Sequence, residues 1–340
     1  MLKDIFIFLQ LAIHMYSLPS EEDNLIRNNP SYQSTTNLGS LINVYWAYKA
    51  NDDRIFFGHV NNIYEGSYTS RNIPEKSWWM VDLRNSYEVT SVCVANRAED
   101  GHYNDYLKSF KIFTKLHPND NEGKYCNERG STPIPKAIHN PEVDYVCFDC
   151  PSNPTGSFVE IIQTIVGSHF GMCDVKIFGN LKSERDFQVI DLSNSKLFEN
   201  HLNINHLRDF NLATEFEKSS SKDIFFRIDF QSIIKVKGLM IIGSQYDDSE
   251  MKFTNVYISV SNTPHTTFNR NLVFLIENYI PNVFAKYKTH KLFSNTTVSG
   301  RYLLMNIYNP NVLDFKISMT ELTVYGHTVG QIRGSKLHAY

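Results

Sequence analysis

Ser77-Trp78-Trp79-Met80-Val81-Asp82-Leu83 returns later in the chain as Ile224-Phe225-Phe226-Arg227-Ile228-Asp229-Phe230, each residue 147 positions on. Cys173-Asp174-Val175-Lys176-Ile177-Phe178-Gly179 returns at the same spacing as Thr320-Glu321-Leu322-Thr323-Val324-Tyr325-Gly326. Between them, Lys108-Ser109-Phe110-Lys111-Ile112-Phe113 matches Thr254-Asn255-Val256-Tyr257-Ile258-Ser259, and Gly156-Ser157-Phe158-Val159-Glu160-Ile161 matches Gly300-Arg301-Tyr302-Leu303-Leu304-Met305. Ordered matches at nearly one spacing mean two copies of one module. They run over 24–181 and 182–329, each the size of an ordinary domain of ~100–200 residues.

The repeated stretches are short, aromatic or β-branched, and bounded by turn residues, which predicts strands. In the first copy these are 88–94, 110–114, 158–164 and 175–178; in the second, 233–242, 256–260, 302–307 and 322–325. No longer stretch carries the helical period. The 23 Phe and 19 Tyr suit pleated, half-buried surfaces. The expected fold is all-β: two tandem antiparallel β-sandwiches of the jelly-roll type. Trp78 and Trp79 are expected in a core, because large aromatics dominate sandwich interiors. Asp82 is expected to pair with a loop backbone.

With 33 Lys plus Arg against 36 Asp plus Glu, the net charge is −3. Such a chain has no global field to hold a polyanion, which argues against a nucleic-acid partner. Residues 1–17 carry Lys3 near their start, continue through an apolar run and end at Ser17, the pattern of a secretory signal peptide. That run is shorter than the ~20 residues a membrane span needs, and no later stretch qualifies. The expectation is a secreted protein, not a membrane-spanning one.

All five cysteines lie in the first module, and an odd number leaves at least one unpaired within the chain. Cys126 with Cys147 or Cys150 would staple a loop rich in Asn, Gly and Pro. The Cys147–Cys150 spacing lacks the βαβ unit or second CxxC that a redox or zinc role requires. Asn295-Thr296-Thr297 is a glycosylation sequon. Neither HExxH, GxSxG, a phosphate loop nor a dinucleotide turn is present, so binding rather than catalysis is expected. The tail 330–340 is short and predicts no element.

The first module resembles the F-type lectin (fucolectin) domain of the discoidin-like, galactose-binding jelly rolls. The residues that carry the resemblance are Trp46-Ala47-Tyr48-Lys49-Ala50-Asn51-Asp52, Gly66-Ser67, the Trp78–Leu83 strand, Val94-Ala95-Asn96-Arg97 and the closing Cys173–Gly179 strand. Together they cover most of 30–180, and the second module looks like a diverged copy. The resemblance implies recognition of a terminal, fucose-like sugar on glycans or glycoproteins from loops at one end of the sandwich. Arg97 falls on one basic position, and its planar fork suits vicinal hydroxyls. Glu99 falls on the acidic position.

This chain departs from the pattern where the family has its His, which is Ser70 here, and near Asn104–Tyr106, where the second basic residue is missing. His102, Tyr103 and Tyr106 share that loop and would rebuild a pocket of another specificity. The resemblance also implies one Ca²⁺, held by Asp52, Ser67 and Asp174 through side-chain oxygens and by Lys49, Arg54 and Cys173 through carbonyls; hard oxygens are what calcium takes. The second module has Ser244 where Arg97 would be and Glu321 in place of Asp174, and shows no sugar motif. Avidity would need both modules to bind, or a homo-oligomer. The rival expectation is an adhesion or structural protein that keeps the fold and has lost the sugar.

Overall fold

The computed structural model describes residues 24–27, 29–35, 47–52, 67–69, 75–97, 106–121, 123–138, 144–192, 195–198, 216–220, 223–243, 255–264, 274–279, 288–308 and 315–329. The expected signal peptide and the 330–340 tail lie outside them. Among the described residues the regular elements are all strands, apart from one 3-10 turn at Ala47–Ala50.

The first half carries β1 (Ser31–Gln33), β2 (Ser67–Tyr68), β3 (Lys76–Ala95), β4 (Phe110–Lys115), β5 (Lys124–Arg129), β6 (Tyr145–Asp149), β7 (Thr155–Val166), β8 (Gly171–Met172) and β9 (Asp174–Ser183). The second carries β10 (Gln188–Val189), β11 (Lys196–Phe198), β12 (Phe216–Ser220), β13 (Asp223–Gly243), β14 (Asn255–Ser261), β15 (Phe274–Tyr279), β16 (Thr289–Tyr308) and β17 (Phe315–Thr328). One antiparallel sheet runs β1-β3-β7-β4-β5, with β6 and β9 also on β3; a second runs β10-β17-β13-β16-β14-β15, with β11 on β13 and β12 on β17.

Each sheet is organised by one long strand. The first part of β3 pairs β7 and β1, and its second part pairs β9 and β6, so the strand passes from one layer of a sandwich to the other. Between the layers lie Trp79, Val81, Leu83, Val92, Ile161 and Ile177, all buried. The second core gathers Ile228, Phe230, Val236, Leu239, Leu303 and Val324 in the same way. Alternation along β3 and β13 puts these residues on one face, as a pleated strand with one buried side requires.

The two halves share their irregularities as well as their patterns. The β3–β7 register slips between Asp82 and Tyr87, and β13–β16 slips between Asp229 and Ile234. A second slip falls at Val89/Ser91 in one half and Val236/Gly238 in the other. At the first slip Arg84 (φ 65°) and Gln231 (φ 61°) are left-handed. Their N–H groups donate to Asp82 Oδ1 at 2.7 Å and Asp229 Oδ1 at 2.8 Å, which offsets the strain. Gly179 and Gly326 hold equivalent places: a Cβ would come within 2.4 Å of the Glu88 carbonyl oxygen in one, and 2.2 Å of that of Lys235 in the other. Only glycine lets the backbones approach so closely.

The halves also touch. Met80 and Phe158, on the outward face of the first sheet, pack with Met240 and Tyr325 of the second. The Tyr32 and Tyr325 hydroxyls are 2.7 Å apart, and Thr289 Oγ1 donates to the Gln33 carbonyl at 2.6 Å. Arg185, just past β9, makes two hydrogen bonds to Asp82, at 2.7 and 3.0 Å, with its guanidinium over the Phe158 and Phe187 rings. Asp82 thus meets a backbone N–H, as expected, and an arginine besides. The expectation for Trp78 is corrected: Trp79 is in the first core, whereas Trp78 faces outward onto this junction, because successive strand residues point to opposite faces.

His290 lies beside the junction, 4% exposed. Burial, with the charge of Lys288 added, pushes its imidazole down to about 3. The unfolded chain, with an ordinary value of ~6.5, therefore takes up a proton that the folded one refuses, so stability is lost as pH falls below ~6.5. Between pH 6.5 and 5 the expected loss is about 2 kcal/mol at ~1.4 kcal/mol per pH unit. Urea melts at both pH values check it, and His290→Gln should remove that part of the slope. An unchanged slope in the variant refutes the assignment.

Candidate functional site

The β3 strand ends at Ala95, and Asn96 follows, buried, with its side-chain N–H donating to the Ile134 carbonyl at 2.7 Å. The N–H of the same Ile134 donates to the Leu107 carbonyl at 3.0 Å. Ile134 therefore clamps the two arms of the 98–105 segment, and it brings Arg97, next to Asn96, to the same end of the sandwich as Tyr106, next to Leu107. Arg97 is 4% exposed.

Tyr106 meets the His169 ring edge-on at 5.2 Å. His169 Nδ1 lies 2.9 Å from the Thr69 carbonyl, and Thr69 and Phe170 bond each other through N–H to carbonyl (2.8 Å) and N–H to hydroxyl (2.9 Å). Of the expected sugar residues, Arg97 and Tyr106 are thus brought to one end. Ser70, Glu99, His102 and Tyr103 lie outside the described residues. Sequence reasoning missed His169. Its signal was the polar Gly167-Ser168-His169 turn, with Gly167 at φ 73°, ahead of the closing strand.

The expected calcium residues come from elements in contact. The 3-10 turn that bears Lys49 touches β2, which begins at Ser67, and β9, which begins at Asp174. Asn51 fixes that turn through N–H bonds to the Ile26 and Asn29 carbonyls, at 2.8 and 2.9 Å. Trp79 Nε1 donates to the Ala47 carbonyl at 2.9 Å. Asp174 is fully buried and accepts the Tyr145 hydroxyl, while the Cys173 N–H donates to the Ala95 carbonyl at 2.8 Å. Asp52, half-buried, follows the turn; Arg54 lies outside the described residues. Among the described residues no three His, Cys, Asp or Glu side chains gather as a metal cluster. Two carboxylates, a hydroxyl and carbonyls are instead a hard-oxygen set of the kind Ca²⁺ accepts.

Cys126 pairs with Cys150, as one of the two expected alternatives, and Cys93 pairs with Cys147 across β3 and β6. Cys173 is buried and takes part in neither disulfide. Asn295 is exposed within β16, at a register slip opposite Lys237.

No protein-family model matches the sequence, and no curated protein matches it either. Among solved structures, the chain is similar to an F-lectin (fucolectin) from striped bass (Morone saxatilis) serum, at 17% identity and TM-score 0.38, covering 90% of this chain and 99% of that one. It is similar to the lectin domain of lectinolysin complexed with Lewis B antigen, at 17% identity and TM-score 0.37, over 47% of this chain and 99% of that one. A fucose-binding module from Streptococcus pneumoniae is similar at 16% identity and TM-score 0.34, over 46% of this chain and 96% of that one.

Proposed function

We propose that the chain is a secreted, non-enzymatic glycan-binding protein of two duplicated β-sandwich modules, 24–181 and 182–329, whose first module holds a terminal sugar at the Arg97 end. The observation that carries this is the Ile134 clamp, which ties Asn96, next to Arg97, to Leu107, next to Tyr106, and Tyr106 in turn meets the His169 ring. An arginine fork offers paired donors to vicinal hydroxyls, and aromatic faces take the apolar side of a sugar ring. Secretion is supported by two disulfides, which persist in oxidising compartments, and by the exposed Asn295 sequon. The matching slips, left-handed residues and glycines support duplication.

Ca²⁺ is proposed at Asp52, Ser67, Asp174 and the carbonyls of Lys49, Arg54 and Cys173. There it would tie the 3-10 turn to the closing strand and stiffen the loop end. A fall in melting temperature on chelation would support it.

Arg97→Ala, Tyr106→Ala and His169→Ala are each expected to weaken glycan binding by about tenfold or more, the scale of one lost charged or aromatic contact. Binding by surface plasmon resonance to fucosylated oligosaccharides checks this, with the fold verified by circular dichroism. Unchanged affinity in all three variants would refute the site. The second reading, an adhesion protein that uses the fold for protein contacts, is favoured by the 4% exposure of Arg97, which leaves a sugar little of that residue to reach.

A further inference from the structure

A cavity of about 450 Å³ opens at the junction of the two halves, within the range of small-molecule sites. Three buried or nearly buried charges form its floor: Glu160 from β7, Lys115 from β4 and Lys291 from β16, with side chains 4%, 9% and 16% exposed. Lys115 Nζ lies 2.5 Å from Glu160 Oε2, and Lys291 Nζ lies 2.6 Å from Oε1. Lys291 also sits 3.8 Å above the Trp78 ring.

Two ammoniums share one carboxylate, so the floor carries one excess positive charge; Asp120 is the other carboxylate that lines the cavity. Burial drives the Glu160 carboxyl upward, but Lys291 and Lys115 outweigh it and hold it below the usual range. Burial likewise pulls the Lys291 ammonium down, with Lys115 adding to the effect and Glu160 opposing it. A single ion pair would have served to join the halves. A second buried cation is costly unless something anionic completes it.

The walls restrict the occupant. Trp78 and Phe113 are half-buried, and exposed Tyr125 leans edge-on against Phe113, with centroids 6.1 Å apart. Asn119 and Asn121, exposed on the rim, carry amides suited to hydroxyls. Asp120, also on the rim, has Oδ2 engaged by the N–H groups of Leu116 and His117 at 3.1 and 2.9 Å. Apolar walls, amide rim and cationic floor together match a sugar ring that bears an acid group. A bare inorganic anion would use the floor alone.

We infer that this cavity binds an anionic sugar residue, carboxylated or sulfated, of an acidic glycan, with Lys115 and Lys291 receiving its charge. Lys291 comes from the second half, so the site exists only where both halves are present, and this gives the second half a role that its lack of a sugar motif leaves open. It is separate from the Arg97 end.

The test is calorimetric titration of the full chain with a hyaluronan tetrasaccharide and a chondroitin sulfate tetrasaccharide, with chitotetraose and inorganic sulfate as controls. The acidic oligosaccharides are expected to bind and the controls not. Lys291→Gln should weaken binding by about tenfold or more, and Glu160→Gln, which raises the floor charge, should tighten it several-fold. Arg97→Ala should leave it unchanged. If the three charges serve only to hold the halves together, Glu160→Gln weakens binding as the lysine change does, and the inference fails. It also fails if neither acidic oligosaccharide binds, or if inorganic sulfate binds as well as they do. Should Lys291→Gln unfold the chain, the Glu160→Gln titration alone decides.

Discussion

Replacing Asp82 with Ala is expected to lower unfolding stability by about 3–5 kcal/mol, whereas the same change at Asp229 costs about 1–2 kcal/mol. The two carboxylates hold equivalent places, and each accepts a left-handed N–H and a two-bonded arginine. The difference lies in the arginine. Arg185, with a side chain 4% exposed, is enclosed by Phe158, Phe187 and Tyr325. Arg301 is 42% exposed and returns to water once its partner is gone. Losing Asp82 leaves an uncompensated buried cation between the halves; losing Asp229 forfeits a half-solvated pair and a backbone bond. Urea unfolding of the two variants, compared at one pH, measures the gap. Equal losses would mean that Arg185 does not depend on Asp82.

Removing the Cys126–Cys150 disulfide as a double Ser variant should cost about 3 kcal/mol, the loop-closure scale for 24 residues of separation. Removing Cys93–Cys147, at a sequence separation of 54, should cost about 4 kcal/mol. The two should open in a fixed order. Both Cys126 and Cys150 are buried, while Cys147 is exposed on β6, so a thiolate reaches Cys93–Cys147 first. Alkylation and mass spectrometry along a dithiothreitol series should show Cys93 and Cys147 labelled before Cys126 and Cys150. The reverse order would contradict the burial difference.

The fold was legible because its decisive residues repeat with their spacing: the inward Trp79, Val81 and Leu83 and their partners Ile228 and Phe230 mark both cores, and the strand aspartate marks both slips. What joins the halves was not legible. Met80, Phe158 and Tyr325 point away from their own cores, and a single sheet gives no sign that two outward faces meet. The same is true of Lys115, Glu160 and Lys291, which read as solvent-facing charges until topology stacks β4, β7 and β16. At the proposed sugar end, the family pattern pointed to Arg97 and to the loop that ends at Tyr106. His169 could not be placed from it, because it reaches Tyr106 through a turn more than sixty residues later.

The central claim, a calcium-assisted sugar site at the Arg97 end, is tested most directly by the purified protein on a broad glycan array, once with Ca²⁺ and once with chelator. Binding to fucosylated or related terminal sugars, lost on chelation and lost in Arg97→Ala, is the predicted result. No binding to any neutral glycan in either condition would contradict it and would leave the first module a scaffold for protein contacts.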